Sequence, residues 1–204
     1  MYKIVIIINY LSYFGYKKLI KVEHLYYSFN DLPLLEDLNF EVKSSEIIHL
    51  KGVNGSGKST LLKILSGILN NFQGKILLSS DDVFFLGHNL GLKDSLTVND
   101  NLLLDYRFNA EAESLDEACN IFDLNSLRDS KLFSLSQGQK KKVSLVQFFL
   151  SKCDLFLLDE PFANLDKKGI ELIEKMIIDR QNQGASIIFT SHEEHNISSR
   201  ELIL

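Results

Sequence analysis

Ile47-Ile48-His49-Leu50-Lys51-Gly52-Val53-Asn54-Gly55-Ser56-Gly57-Lys58-Ser59-Thr60 is the stretch that decides the fold. An apolar run at 47–50 has strand character and leads straight into a glycine-rich loop. Residues 60–68 behind the loop have helical spacing. Gly52 to Ser59 fits the pattern G-x-x-x-x-G-K-[ST], in the strand–loop–helix context that gives the pattern its meaning. Its glycines let the backbone wrap a phosphate chain, with successive N–H groups pointing inward as an anion nest. The helix N-terminus adds partial positive charge. Lys58 is then placed for β- and γ-phosphates and Ser59 for Mg²⁺, with Gly52, Asn54, Gly55, Ser56, Gly57 and Thr60 lining the rest. A tight turn alone would need neither the lysine nor the hydroxyl.

Outward from this loop, strands and helices alternate. Residues 22–29 and 35–42 alternate apolar and polar side chains, as half-buried antiparallel strands do. Further strands are expected at 75–78, 83–86, 155–158 and 186–190, with helices at 139–150 and 167–183. The middle, 98–127, is more polar, and Leu115, Ala118, Cys119 and Phe122 repeat at helical spacing. The pattern predicts an α/β core with a mostly parallel sheet, an N-terminal antiparallel β subdomain and an inserted helical subdomain at about 92–150. It reads as a single domain over 18–204, after an extension at 1–17 of unassigned role.

Three further signals carry chemistry. Leu155-Phe156-Leu157-Leu158 ends in Asp159-Glu160, and a strand buried on both faces delivers such acids to the ligand edge of an open sheet. Asp159 is expected to hold Mg²⁺, and Glu160 to polarise a water beside the γ-phosphate. His192 ends another apolar strand and should reach the same edge as Glu160, as a γ-phosphate contact. In Leu135-Ser136-Gln137-Gly138-Gln139, Ser136 and the N–H groups near Gly138 open a helix and so make a second anion site. One chain already has a phosphate loop, so this second site is spare unless it serves another molecule's nucleotide. Lys140–Lys142 put positive charge on a first helical turn, against the dipole, a conflict that a nearby phosphate would offset.

Composition narrows the partners. A net charge of −5 gives no general affinity for nucleic acid or an anionic membrane. Cys119 and Cys153 lack metal-ligand spacing and read as ordinary thiols of a reducing compartment. The apolar start at 4–8 is too short to span a bilayer, and 1–17 is not a convincing signal peptide. An extra strand, a tail or an upstream start codon is the expectation there.

Phosphate loop, LSQGQ, Asp159-Glu160-Pro161, Ala163-Asn164-Leu165-Asp166 and His192 stand in the order of the ATP-binding cassette (ABC) ATPase domain, which the chain resembles from about residue 21 to its end. The resemblance implies an ATPase using ATP and Mg²⁺. It implies a homodimer that sandwiches two ATPs, with Ser136, Gly138 and Gln139 of one copy closing on the γ-phosphate held by Lys58 and Ser59 of the other. Asp166 would lie at the dimer seam, and Phe29 would stack on adenine. Long coiled-coil insertions and a second cassette, marks of the repair and translation branches, are lacking.

Departures from the family pattern are informative. Ser44-Ser45 stands where a glycine is usual. His88 or Asn89 replaces the loop glutamine that meets the metal, so metal contact by His88 is a weak expectation. The stretch from Leu86 to Lys93, with that from Leu96 to Leu102, is similar to LGHQPGIK…LT..ENL of the cytochrome c maturation ATPases, the haem-exporter type; Asp166-Lys167-Lys168-Gly169-Ile170 is similar to their DKQGV. That likeness implies polytopic membrane permease partners, a peripheral position on the cytoplasmic face of an inner membrane (the matrix side if organellar), and haem handover served only indirectly. The chain has no C-x-x-C-H haem motif of its own. Another exporter for lipid, peptide or metal, or a dimerising module with little turnover, remains open at this stage.

Overall fold

The computed structural model describes residues 18–87, 91–104 and 112–204. Segment 1–17 and His88 and Asn89 lie outside the described residues. The chain divides into two compact units. One holds the described residues up to Phe85 with Cys153–Ala163 and Lys167–Leu204; the other holds Leu86–Lys152 and Asn164–Asp166.

In the first unit, β1 (Lys18–Phe29) and β2 (Leu32–Lys43) pair as an antiparallel hairpin. Their connection, Asn30-Asp31, has φ of 49° and 63°. Two successive left-handed residues match the twist of a tight hairpin, and short polar side chains tolerate them. Both strands exceed their expected spans because pairing runs on past them, as in Lys18↔Lys43, Ile20↔Val42 and Phe29↔Leu32. The alternation also changes phase. Ile20 and Val22 are buried, then Leu25 and Tyr27. The shift falls at His24, at φ 50°, where the register with β2 slips as in a bulge. β4 (Gln73–Leu78) pairs antiparallel with the other edge of β1.

The second sheet has the order β5-β6-β7-β3-β8. It is built from β3 (Ile47–Lys51), β5 (Val83–Leu86), β6 (Leu155–Leu158), β7 (Ser186–Phe189) and β8 (Arg200–Ile203). β7 runs parallel to both β6 and β3, and β3 runs parallel to β8. The central strands are continuous apolar runs because both of their faces are covered. Between β3 and β4 lies α1 (Lys58–Leu65); between β6 and β7 lies α5 (Lys167–Asn182). Leu61, Leu62 and Leu65 of α1 share one core with Ile20 and Val22 of β1, Leu50 of β3 and Leu157 of β6.

α1 stops earlier than helical spacing suggests. The Ile68 amide donates to the Lys63 carbonyl and the Gly67 amide to that of Ile64. With Gly67 at φ 77°, this is a Schellman termination. Ser45 sits at φ 58°, so the turn before β3 does need the left-handed backbone that a glycine would take without strain. β8 was not legible in the sequence: four residues, mostly exposed, with no alternating burial. It is held by its pairing with β3 and by Arg200, whose Nε donates to Glu46 Oε1 at 2.6 Å.

The second unit resolves the region 98–127 into α2 (Val98–Leu103), α3 (Ala112–Ile121) and a 3₁₀ turn at Asn125–Leu127. A second 3₁₀ turn, Leu132–Ser134, precedes α4 (Gln137–Leu150). Thr97 caps α2 reciprocally with Asp100. Asn101 is buried; its amide donates to the carbonyls of Lys93 and Thr97 and its Oδ1 accepts from the Lys93 amide. Lys93 and Asn101, from the two segments that carry the maturation-ATPase likeness, are therefore bonded to each other. Ala118, Cys119, Phe122, Val143 and Val146 supply the apolar core here. Both cysteines are buried and neither is in a disulfide among the described residues.

Candidate nucleotide site

β3 delivers the glycine-rich loop and α1 begins directly behind it. The loop is tight: at Gly52, φ 155°, an added Cβ would lie 2.4 Å from Ser56 Oγ and 2.9 Å from the Leu204 carbonyl oxygen. Only glycine fits there. Gly57 forms the left-handed N-cap of α1, with φ 98° and no side-chain cap, so the first amides of the helix are not screened by a capping oxygen. Lys58 is buried, and its ammonium donates to the carbonyls of Gly52 at 2.8 Å and Val53 at 3.1 Å. Those bonds hold the charge at the loop. Asn54 and Gly55 are exposed and Thr60 is half-buried.

One atom argues that the loop is shaped for a ligand. Among the described residues, Ser56 Oγ is the buried side-chain oxygen or nitrogen without a hydrogen-bond partner. A buried hydroxyl left unpaired costs about 1–3 kcal/mol. A phosphate oxygen in the loop is a natural acceptor for it. The site is thus chemically matched to the triphosphate that the loop pattern implies.

The acids converge on α1. Asp159, at the end of β6, is buried, and its Oδ1 accepts from Ser59 Oγ and from Thr190 Oγ1, each at 3.0 Å. Thr190, just beyond β7, also accepts from the Glu160 amide at 2.8 Å. A single hydroxyl therefore aligns both acidic residues. Thr190 was missed as a site residue, although a threonine closing the apolar run Ile187–Phe189 is the available signal. Glu160 stands at φ 51°, a left-handed backbone that a glutamate rarely adopts. That conformation turns its carboxylate toward the loop carrying His192. The His192 amide lies 3.3 Å from Glu160 Oε2, and its Nε2 lies 3.6 Å from Oε1. Lys58, Ser59, Asp159, Glu160 and His192, expected together, thus share one sheet edge in one unit. Asp159 with Ser59 forms a hard-oxygen pair suited to Mg²⁺.

Phe29 closes β1 with its ring exposed, 61% accessible, as a stacking platform must be. Ser136, Gly138 and Gln139 belong to the other unit. There Ser136 caps α4, accepting from the Gln139 amide while Gln139 Oε1 accepts from the Ser136 amide. Ser136 and Gly138 open α4 as expected, with Gln139 completing a capping box. Two of the lysines that follow have carboxylate partners within the same unit. Lys140 Nζ lies 2.6 Å from Asp94 Oδ1, and Lys142 Nζ lies 3.6 Å from Asp123 Oδ2. Those carboxylates offset the adverse dipole within the same unit.

A phosphate loop on a parallel sheet, acids at the adjoining strand end and a histidine beside them define a nucleotide-hydrolysing cassette. Residues 35–163 match the family model "ABC transporter", and the chain belongs to that family as an ATP-binding, ATP-hydrolysing subunit. Among its relatives is the cytochrome c biogenesis ATP-binding export protein CcmA of Legionella pneumophila (strain Lens). That protein is 35% identical over 187 residues, covering 86% of this chain and 94% of the relative. The CcmA protein of Rickettsia felis is 36% identical over 177 residues, covering 83% and 91%. A solved ATP-binding subunit of an ABC transporter superposes with a TM-score of 0.75 at 26% identity, over 85% of this chain and 79% of that one. A nucleotide-free ATP-binding cassette superposes at 0.68 and 20% identity, covering 86% and 82%, which bears on fold alone.

Proposed function

We propose that this chain powers haem handover or export in c-type cytochrome biogenesis, as a homodimer closed around two ATPs beneath polytopic membrane permease subunits. The observation that carries the subfamily is the 35% identity to CcmA across 86% of the chain. No helix among the described residues is long and apolar enough to cross a membrane, so the membrane part of such a complex would come from its partners. The position is then peripheral, on the cytoplasmic or matrix face.

In this reading Gly52, Asn54, Gly55, Ser56, Gly57, Lys58 and Thr60 bind the phosphates and Phe29 stacks on adenine. Ser59 and Asp159 would hold Mg²⁺, which would supply charge neutralisation to the bound triphosphate. Glu160 orients a water for in-line attack at the γ-phosphorus and takes up its proton as the bond to ADP breaks. Lys58 and His192 stabilise the spreading negative charge, an electrostatic contribution made by groups already in place. Ser136, Gly138 and Gln139 of the second copy complete the site from the N-terminus of its α4. His88 lies outside the described residues, and no role is assigned to it.

The test is capture of tagged Glu160→Gln protein from native membranes with Mg-ATP, read by mass spectrometry and haem absorbance. Co-purification of cytochrome c assembly proteins is the expected result. Recovery of an unrelated permease would leave the ATPase intact and overturn the haem assignment.

A further inference from the structure

Behind the nucleotide site, two histidines form a chain of hydrogen bonds that the hydrolysis machinery does not itself include. His49 lies on β3, three residues before Gly52, and is buried. Its ring stacks on Phe189 of β7 at 4.7 Å with 12° between planes. His195, three residues after His192, stacks on Phe162 at 5.6 Å and 22°. Phe162 in turn follows Glu160 by two residues. The imidazoles thus touch the strand that carries the phosphate loop, the segment that carries Glu160 and the loop that carries His192.

The hydrogen bonds give this chain a direction. The Ile197 amide points at His195 Nδ1, 3.3 Å away. A backbone N–H only donates, so His195 Nδ1 is an acceptor and the ring carries its proton on Nε2. That Nε2 lies 3.3 Å from His49 Nδ1, which must accept in turn. His49 Nε2 then bears the remaining proton and faces the Ser191 carbonyl at 3.4 Å. A carbonyl only accepts, so the chain is consistent from end to end. It holds for one tautomer of each ring and only while both rings are neutral. A proton added to His195 Nδ1 would face the Ile197 N–H, and one added to His49 Nδ1 would face the His195 N–H.

We propose that His49 and His195 are positioning residues for hydrolysis: their relay, read from Ile197 to Ser191, fixes the backbone that presents His192 to Glu160. The inference rests on the site roles proposed above. It also predicts an acid limit on turnover. Burial holds both imidazoles below the ordinary histidine value; for His49 the Ser191 carbonyl works the other way, and for His195 the Glu174 carboxylate does. The charged groups lining the cavity beside the pair are Lys167, Glu171 and Glu174 from α5, Lys51 from β3, Lys58 from α1, Glu201 from β8, and Glu193 and Glu194 from the loop itself. Lys51 is ion-paired with Glu201, and Glu174 accepts from the Asn196 amide at 2.6 Å. A lowered histidine pKa means that the folded relay persists somewhat below pH 6.5 and is lost as pH falls further, while the unfolded chain already gains protons there.

His49→Phe and His195→Phe keep a ring in each stack and remove the relay. In the full chain each is expected to lower kcat for ATP about tenfold with little change in KM, as loss of positioning rather than of binding does. The acid limb of the kcat profile should flatten, and His49→Gln, whose amide can still donate to the Ser191 carbonyl, should recover part of kcat. In unsubstituted protein, nitrogen NMR should show both rings neutral at pH 7.5 and protonated on Nε2, a readout that needs no variant to fold. An Nδ1–H tautomer on either ring, or wild-type kcat and pH profile in both Phe variants while His192→Ala is inactive, would overturn the inference alone. Full turnover by His192→Ala would remove the site reading beneath it.

Discussion

At Glu160 the backbone sits at φ 51° while its amide is tied to Thr190 and its carboxylate faces His192. Strain of this kind costs about 1–3 kcal/mol and survives only where neighbours over-determine it. It aims the carboxylate, so the acid itself should matter more to turnover than to binding. Glu160→Gln is expected to bind ATP normally and lose turnover by about 100-fold or more, whereas Lys58→Ala should lose both; nucleotide binding and phosphate release assayed side by side separate the two outcomes. Thr190→Val keeps the shape but removes the hydroxyl that links Asp159 to the Glu160 amide. A fall in kcat of about tenfold is expected, together with a lower melting temperature, since a buried amide loses its acceptor. Unchanged kinetics would show that Thr190 merely fills space. The acids and the lysine were legible from chain order alone. Thr190 and the histidine pair were not, because each acquires its role from a partner far away in sequence.

The elements differ in what holds them. β6 is fully buried on both faces, and Leu157 packs in the core shared with α1 and β1. Leu157→Ala should cost about 3 kcal/mol, measured by denaturant unfolding, with a cavity left where the strand cannot collapse. β8 is mostly exposed: Leu202 packs, partly buried, against that core, and polar ties add to it. Burial raises the Glu46 carboxyl, but Arg200 and the Lys43 amide outweigh it and hold the group below its ordinary value of 4.5. A depressed carboxyl pKa contributes stability that is whole above the unfolded value and lost as pH falls through the folded one. Arg200→Ala should therefore destabilise the protein near neutral pH and make little difference in strong acid, which thermal unfolding across pH would reveal. This difference in support explains the reading of the sequence. Apolar runs announce β3, β6 and β7. The outer ends of β1 and β2 and the whole of β8 are strands because a neighbour offers its unpaired edge.

At the scale of the whole molecule, each chain carries one phosphate loop and one capped α4 N-terminus, in separate compact units. If two copies share their sites, substitutions in different units should complement. Glu160→Gln and Ser136→Ala are each expected to be inactive or nearly so alone. Mixed in equal amounts, they should recover roughly a quarter of wild-type ATP hydrolysis, since half of the pairs in a twofold assembly are mixed and each has one complete site. No recovery on mixing would mean that each chain completes its own site.

The amino-acid order alone determined that this protein is an ABC-family ATPase. Phosphate loop, the LSQGQ stretch, paired acids and histidine are contiguous motifs whose chemistry depends on local backbone and chain direction. The tertiary structure decided what those motifs lean on: the Thr190 hydroxyl between two acids, the left-handed backbone at Ser45 and Glu160, the Arg200–Glu46 tie of β8, and the relay from Ile197 through His195 and His49 to Ser191. Each of these depends on a backbone bent by its surroundings or on side chains brought together from separate segments. Hydrogen bonds act over about 3 Å in space, and periodicity and motif spacing record only distance along the chain.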